Sequence, residues 1–431
     1  MAKINEVCLL NDSFPPLIDG VTNAVVNYAR VIKNSGYGVS VVVPDIDNKD
    51  DSVFDYPVIR YPSIDLRKQI GYTVGNPFNI PALLEISKRN ISLLHSHCPA
   101  MSNMVARTLR DTLDVPLIMT YHTKFDIDIA NAIKSKSIQQ LTINALIDSV
   151  DACDELWVVS EGAGQNLRKL GYTGDYVVMR NGVDMPKSTA SKEQIDKINK
   201  EYNLKDDIPT FLFVGRLMWY KGLRIILDAL AALKSQDFDF RMIFIGAGGD
   251  EAEVKEYTNE LKLNDKVIFT GAISDRNELV SFYSRADLLL FPSTFDTNGL
   301  VVREAAACNL GSVLVKDSCA AEGVTNNIDG LLIEENAASL AVCLAKIINN
   351  KQAMKKIGEN ASDNLYYSWD DSIKNAIKRY EIVIDNYNKG LRQNKNKLSD
   401  EIFSLSSNLI DMLSEMEERK KKIEEKIDRY L

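Results

Sequence analysis

Twice along this chain, short β-branched apolar runs alternate with amphipathic stretches, and a polar break separates the two series. In the first series "EVCLLN" (6–11), "GVSVVVPD" (38–45), "ISLLHSH" (91–97), "VPLIMTYH" (115–122) and "ELWVVS" (155–160) read as strands buried on both faces. Between them "VTNAVVNYARVIKNSG" (21–36) and "MSNMVARTLRDTL" (101–113) read as helices, the first stopped by Gly36. After "YVVMRNGVDMP" (176–186), a polar, Lys-rich stretch at 187–207 reads as a linker. The alternation then restarts with "TFLFVG" (210–215), "FRMIFIG" (240–246), "KVIFTG" (266–271), "ADLLLFPS" (286–293), "GSVLVKD" (311–317) and "GLLIE" (330–334). A buried parallel strand needs a helical crossover to its neighbour, so two such series predict two doubly wound α/β domains. Ligands of such sheets bind beyond the carboxyl ends of the strands, which makes a cleft between facing domains the expected site.

The bulk properties narrow the function. At 431 residues the chain exceeds one ordinary core. A formal net charge of -9 argues against a non-specific nucleic-acid binder, which needs a basic surface. The opening "MAKINEVCLLNDSFPP" lacks the charged and apolar regions of a signal peptide. No run approaches the roughly 18 apolar residues that span a bilayer. The six cysteines are scattered without a C-x-x-C pair, as expected of reduced, mostly buried thiols. A cytoplasmic protein is expected, with the inner face of the membrane as a further place for it to act.

The tail has its own pattern. Beyond about Lys389 the chain turns polar, then places Leu398, Ile402, Leu405, Leu409, Met412 and Met416 at alternating four- and three-residue steps. That is a heptad seam, and it decays where Arg419 and Lys426 take the next core positions. Three readings stand: a helix packed on its own domain, self-association through 398–416, and a membrane-surface or partner helix.

Four strand ends carry unusual residues. After the first strand a Pro-Pro turn leads to Asp19 and Gly20 at a helix start, where backbone can approach an anion; a plain turn glycine is the simpler reading. The chain's three histidines, His95, His97 and His122, all fall at ends of strands in the first domain. His95 and His97 share a strand face, yet no spacing signals a third metal ligand. Arg216 and Lys221 sit at a strand-to-helix junction, a pairing suited to a diphosphate but equally found as a solvated basic pair. Finally, "FPSTFDTNGLVVREAAACNLGSVLV" (291–315) frames a polar loop with Asp296 and Glu304. Backbone N–H groups near Gly299 and Leu300 would lie at the following helix N-terminus, and the two acids could hold hydroxyls of a sugar and a ribose; taken alone, the stretch reads equally as a helix-capping loop with an incidental acid.

In combination these motifs resemble a retaining glycosyltransferase of family 4, with the GT-B architecture of two Rossmann-like domains facing a cleft. The resemblance runs from the first strand to about residue 385 through "FPPLIDGV", "SHCPAMSN", "TYHT", "VVSEG", "RNGVD", "GRLMWYKGL", "FIGAGGD", "SRADLLLFPS" and the acid-x7-acid block. It implies an N-terminal acceptor-binding domain (1–190), a nucleotide-sugar-binding domain (191–365), a crossover helix returning to the first domain (366–390) and a helical tail (391–431). It further implies that Gly20 approaches the donor phosphate and that His122 lies near the transferred sugar. Arg216 and Lys221 would neutralise the departing diphosphate, and Asp296 would hold a donor-sugar hydroxyl. Gly299 and Leu300 would donate backbone N–H groups, Glu304 would bind the ribose, and Ile273 would pack the nucleobase.

The implied reaction moves a hexose from a nucleoside diphosphate sugar to a hydroxyl, with a UDP-sugar favoured, GDP-mannose as the other donor and no cofactor or metal. "YHTKFDIDIANAI" is similar to members that glycosylate diacylglycerol, so a lipid acceptor with peripheral membrane contact competes with a cell-surface glycan precursor. Asp296 stands where most members carry Glu, in an Asp-Thr-x-Gly pattern of one branch of the family, and "IDG" has one glycine where two are usual. Two Asp-x-Asp triplets, Asp45–Asp47 and Asp126–Asp128, match a metal-holding pattern of another transferase fold and are expected to be incidental. The rival readings are a sugar-nucleotide epimerase or phosphorylase of the same fold, and a non-catalytic scaffold assembling through its tail.

Overall fold

The computed structural model describes residues 3–17, 19–66, 72–391 and the single positions 407, 410 and 412. The chain divides into two compact units, Met1–Arg180 with Trp369–Leu431, and Asn181–Ser368.

Unit 1 is a parallel sheet whose order among the described residues is β3-β2-β1-β6-β7-β8-β9. Its strands are β1 (Glu6–Leu10), β2 (Gly38–Pro44), β3 (Val58–Tyr61), β6 (Leu93–Ser96), β7 (Leu117–Tyr121), β8 (Glu155–Val158) and β9 (Val177–Val178). Between β3 and β6 the chain inserts an antiparallel pair, β4 (Ser63–Leu66) and β5 (Tyr72–Gly75). Successive residues of a strand feed opposite faces. Val7 and Leu9 of β1 therefore enter one core layer, with Val41, Ile118 and Trp157. Cys8 and Leu10 enter the other, with Val42, Leu94, Leu117 and Met119. Helices α1 (Gly20–Asn34), α2 (Ile80–Ser87), α3 (Met101–Leu113), α4 (Phe125–Ala132), α5 (Lys136–Asp151) and α6 (Glu161–Lys169) make the crossovers. Each strand run expected in this half is present; β3, β9 and the inserted pair are additions.

Unit 2 repeats the plan with order β12-β11-β10-β13-β14-β15, all parallel. The strands are β10 (Thr210–Val214), β11 (Arg241–Ile245), β12 (Val267–Gly271), β13 (Leu288–Phe291), β14 (Ser312–Val315) and β15 (Leu331–Ile333). Its helices are α7 (Lys192–Glu201), α8 (Leu223–Lys234), α9 (Glu251–Glu260), α10 (Arg276–Arg285), α11 (Leu300–Ala307), α12 (Ala337–Ile347) and α13 (Lys351–Asn364). About half of the stretch read as a linker is α7. Ser191 and Gln194 close a capping box at its start, and Ile198 drops into the unit-2 core at 3% exposure. A helix carrying so few apolar residues gives little periodic signal, which is why it reads as polar connection.

The last long helix, α14 (Trp369–Asn388), belongs to unit 1 and packs on α1. Trp369, Ile373, Ala376, Tyr380 and Val383 form its buried stripe, spaced three and four apart. Arg379 clamps Glu155 of β8 at 2.9 and 2.6 Å. Farther on, Ile410 is wholly buried in the unit-1 core, and Ser407 Oγ lies 2.7 Å from Thr112 Oγ1. Ile410 is not a residue of the predicted seam, whereas Met412 is, and its side chain is about half exposed. The other seam positions lie outside the described residues. No described helix is long and apolar enough to cross a membrane.

Candidate active site

In each sheet the strand order reverses at one point, between β1 and β6 in unit 1 and between β10 and β13 in unit 2. The carboxyl ends of strands flanking such a reversal leave room for a ligand, because their loops diverge to opposite faces.

At the unit-2 reversal, Gly215 follows β10 and a single 3-10 turn, Trp219–Lys221, leads into Gly222 and α8. Gly222 has φ +77, and a Cβ there would lie 2.4 Å from the carbonyl oxygen of Pro292. The β10 loop is thus pressed against the end of β13 as only glycine allows. That contact brings Lys221 Nζ to 2.6 Å from Asp296 Oδ1. Ser293 Oγ donates to the other carboxylate oxygen at 2.6 Å. Lys221 is 8% exposed, and its ammonium lies 5.6 and 5.8 Å from the ring centres of Phe295 and Tyr220. Arg216, by contrast, is exposed and makes no ion pair among the described residues.

Gly299 begins α11 in the left-handed region, φ +57, and its added Cβ would meet Ala320 Cα and Cβ at 2.8 Å. Beside it Asn298 is buried with its Nδ2 unpartnered. One turn into α11, Glu304 Oε2 accepts a hydrogen bond from Tyr283 Oη at 3.0 Å. Arg276 Nη1 lies 3.7 Å from Glu304 Oε1 and Nη2 lies 3.4 Å from Asp184, a chain of alternating charge. Burial pushes the Glu304 carboxyl above its usual range, opposed by the Tyr283 hydrogen bond and the Arg276 charge. Ile273, just past β12, is half-buried against the unit-2 core. Sequence reasoning missed Ser293, Tyr220, Phe295, Tyr283 and Arg276; Ser293 and Tyr220 act on near neighbours in sequence, whereas Tyr283, Arg276 and Phe295 act on residues distant in it.

At the unit-1 reversal Gly20 begins α1. Two N–H groups at the α1 N-terminus are engaged by Asp19, whose Oδ1 accepts from Val21 N at 2.9 Å and Thr22 N at 2.7 Å. An Asp at this position is a strong helix cap and claims those donors itself. Gly20 is exposed, with open space where a Cβ would point. Asp12 caps a different helix: Ala100 has no side-chain acceptor for α3, and Asp12 Oδ1 accepts from Ser102 N at 2.7 Å.

The three histidines form a row across β6 and β7. The rings of His95 and His97 lie 4.1 Å apart, on the shared strand face expected for them. His95 is bracketed by Tyr380 Oη at 2.6 Å and Thr120 Oγ1 at 2.7 Å, which ties α14 to the sheet. His97 Nδ1 lies 3.0 Å from His122 Nε2. Burial lowers all three pKa values, that of His122 to about 4 despite the opposing pull of Asp19. Among the described residues no group of three or more His, Cys, Asp or Glu side chains could hold a metal ion.

Two doubly wound units, each with polar and charged groups gathered at the carboxyl ends of its strands, make the GT-B architecture. "Glycosyltransferase Family 4" matches residues 18–186, and "Glycosyl transferases group 1" matches residues 194–364. The chain belongs to glycosyltransferase family 4, so the expected family and the GT-B fold class are borne out. An uncharacterised glycosyltransferase of Methanocaldococcus jannaschii is 26% identical over 88% of this chain and 98% of its own length. The alpha-monoglucosyldiacylglycerol synthase of Acholeplasma laidlawii is 23% identical over 90% of this chain and all of its own. Among solved structures, Anabaena HepE in complex with UDP aligns with a TM-score of 0.71 at 18% identity, over 88% of this chain and all of that one.

Proposed function

We propose that the chain is a retaining hexosyltransferase that moves a hexose from a nucleoside diphosphate sugar to a hydroxyl acceptor. A UDP-sugar is the favoured donor, ahead of GDP-mannose, and a glycolipid or cell-surface glycan precursor is the acceptor class. The observation that carries this reading is the Lys221–Asp296 contact at the end of β10 and β13, with the exposed Arg216 in the same β10 loop. An ammonium has three donors, so Lys221 can keep Asp296 and still donate to a phosphate oxygen. Arg216 adds a second cation, and the backbone amides at Gly299 and Leu300 supply the positive end of α11. In this reading these groups meet the charge of the departing diphosphate, and the reaction calls for no metal ion.

In this mechanism the bond from the sugar's anomeric carbon to the phosphate oxygen breaks as the acceptor oxygen bonds to the same face. The acceptor proton passes to the leaving phosphate. Asp296 orients a donor-sugar hydroxyl, Glu304 the ribose, and Ile273 packs the base. Unit 1 takes the acceptor, with His122 assigned to the transferred sugar and Gly20 to the donor phosphate. The UDP held by Anabaena HepE supports the donor class, and the alpha-monoglucosyldiacylglycerol that names the Acholeplasma synthase supports a diacylglycerol-type acceptor.

The test is thermal unfolding of the full chain across a panel of nucleotide sugars, with magnesium and with EDTA. A ligand at a hundred times its Kd stabilises by about 2.7 kcal/mol. A shift with one UDP-sugar, unchanged by EDTA and lost in Glu304→Ala, is expected. No shift with any donor would overturn the reading in favour of a non-catalytic scaffold. Isomerisation of the donor in the absence of acceptor would point to an epimerase.

A further inference from the structure

Glu304 is met from α10 by two side chains that share one helix face. Arg276 opens that helix and Tyr283 stands seven residues on, so both project to the same side. Tyr283 is wholly buried, and its Oη donates to Glu304 Oε2 at 3.0 Å. Arg276 Nη1 lies 3.7 Å from Oε1, the carboxylate's other oxygen. Its Nη2 lies 3.4 Å from Oδ2 of Asp184, in the loop that precedes α7. Asp184 thus restrains an exposed guanidinium whose long stem would otherwise sample many rotamers in water.

A carboxylate offers about four lone-pair sites, divided between its oxygens. Tyr283 takes one on Oε2 and Arg276 stands near Oε1, which leaves an acceptor site on each oxygen. The Glu304 side chain keeps 21% of its surface exposed, so those sites can be reached. Two acceptors side by side suit two hydroxyls on neighbouring carbons. The match requires the ionised form, because a protonated carboxyl turns one oxygen into a donor. Burial works against the ion, and so does the negative charge of Asp184. The Tyr283 hydrogen bond and the Arg276 charge work for it. Cys308, at the end of α11, is a thiol that burial holds protonated, so it adds no charge.

We propose that Tyr283 and Arg276 are positioning residues that hold Glu304 as an oriented anion for the vicinal diol of a nucleotide ribose, with Asp184 as the anchor of Arg276. The diol half rests on the transferase reading above, while the orientation and charge of Glu304 rest on the geometry of unit 2 alone.

The experiment makes two measurements on the full chain. Carboxyl 13C NMR of glutamate-labelled protein follows the titration of Glu304, its signal being assigned from Glu304→Gln. The Glu304 midpoint should rise in Arg276→Met, which removes the charge, and in Tyr283→Phe, which removes the donor. Arg276→Lys restores a cation and should bring the midpoint most of the way back. Calorimetric titration with UDP, GDP and their 2′-deoxy forms follows the diol. The nucleotide that binds should lose roughly tenfold in affinity with its 2′-hydroxyl, the worth of one hydrogen bond. Arg276→Met should weaken it roughly tenfold at about pH 6 and less at about pH 8, where the solution itself favours the ion. An unchanged Glu304 midpoint in either variant, or a loss in Arg276→Met that is the same at both pH values, would overturn the proposal. So would equal affinity of the wild type for the ribose and 2′-deoxy forms. If no nucleotide binds while Glu304 titrates as expected, the transferase reading fails instead and the hold of Tyr283 and Arg276 on Glu304 stands.

Discussion

Lys221 Nζ sits 2.6 Å from Asp296 Oδ1, although 75 residues separate them in sequence. They meet because β10 and β13 are neighbours in the sheet and because Gly222 lets the β10 loop touch Pro292. In the proposed reaction the pair is one device: Asp296 holds the ammonium in place, and the ammonium meets the leaving diphosphate. Lys221→Met preserves most of the stem's packing and removes the charge. The barrier should rise by about 3 kcal/mol, a loss of roughly a hundredfold or more in kcat. Steady-state kinetics with the identified donor checks this. Retention of wild-type kcat would remove Lys221 from the leaving-group site.

Gly299 and Gly20 both begin helices, yet the structure separates them sharply. Gly299→Ala forces a Cβ into the left-handed region and against Ala320 at 2.8 Å. The backbone conformation alone should cost about 1–2 kcal/mol, with the collision added. Gly20→Ala meets nothing within 4 Å and should change stability by about 0.5 kcal/mol or less. Urea unfolding of the two variants gives the comparison. Any loss of donor binding in a stable Gly20→Ala protein then reports close approach by the ligand.

How far all this was legible in the sequence depends on how local the cause is. The interior strands announced themselves because a strand buried on both faces must be apolar throughout, as in Val7–Leu10 and Leu288–Phe291. Arg216, Lys221, Asp296 and Glu304 could be placed at strand ends for the same reason. Their partners could not. Tyr283 reaches Glu304 from a helix 21 residues earlier, and Tyr380 reaches His95 across 285 residues. Asp19 was visible as a helix start, but its occupation of the Val21 and Thr22 amides follows from a side-chain rotamer that sequence does not show. Edge strands such as β9, two residues long, carry too few side chains to make a pattern.

The histidine row makes unit 1 sensitive to acid. His122 titrates near 6.5 when unfolded, whereas burial holds it at about 4 in the folded chain. Between those values the unfolded chain binds a proton that the folded chain refuses. The contribution is therefore whole above about pH 6.5 and is lost as pH falls toward 4, by about 3 kcal/mol for this one residue. His95 and His97 shift in the same direction for the same cause. The urea midpoint should fall across this window in the wild type and fall less steeply in His122→Asn. Parallel pH profiles for the two proteins would show that the ring is not buried in its neutral form.

The stretch from 187 to 207 offers a clean choice between connection and core. A polar tether would accept Ile198→Ala without effect. In the structure Ile198 is 3% exposed on α7 and packs in the unit-2 cluster, while Arg285 reaches across to the Lys205 carbonyl at 2.9 Å. Truncating a buried Ile to Ala should cost about 2–5 kcal/mol, because the cavity adds to the lost burial. Ser191→Ala, which opens the capping box, should cost about 1 kcal/mol. The loss should appear in the unfolding of unit 2, followed through Trp219, and leave the signal from Trp157 in unit 1 in place. Wild-type stability in Ile198→Ala would return the segment to the status of a tether and place the start of the unit-2 core at β10.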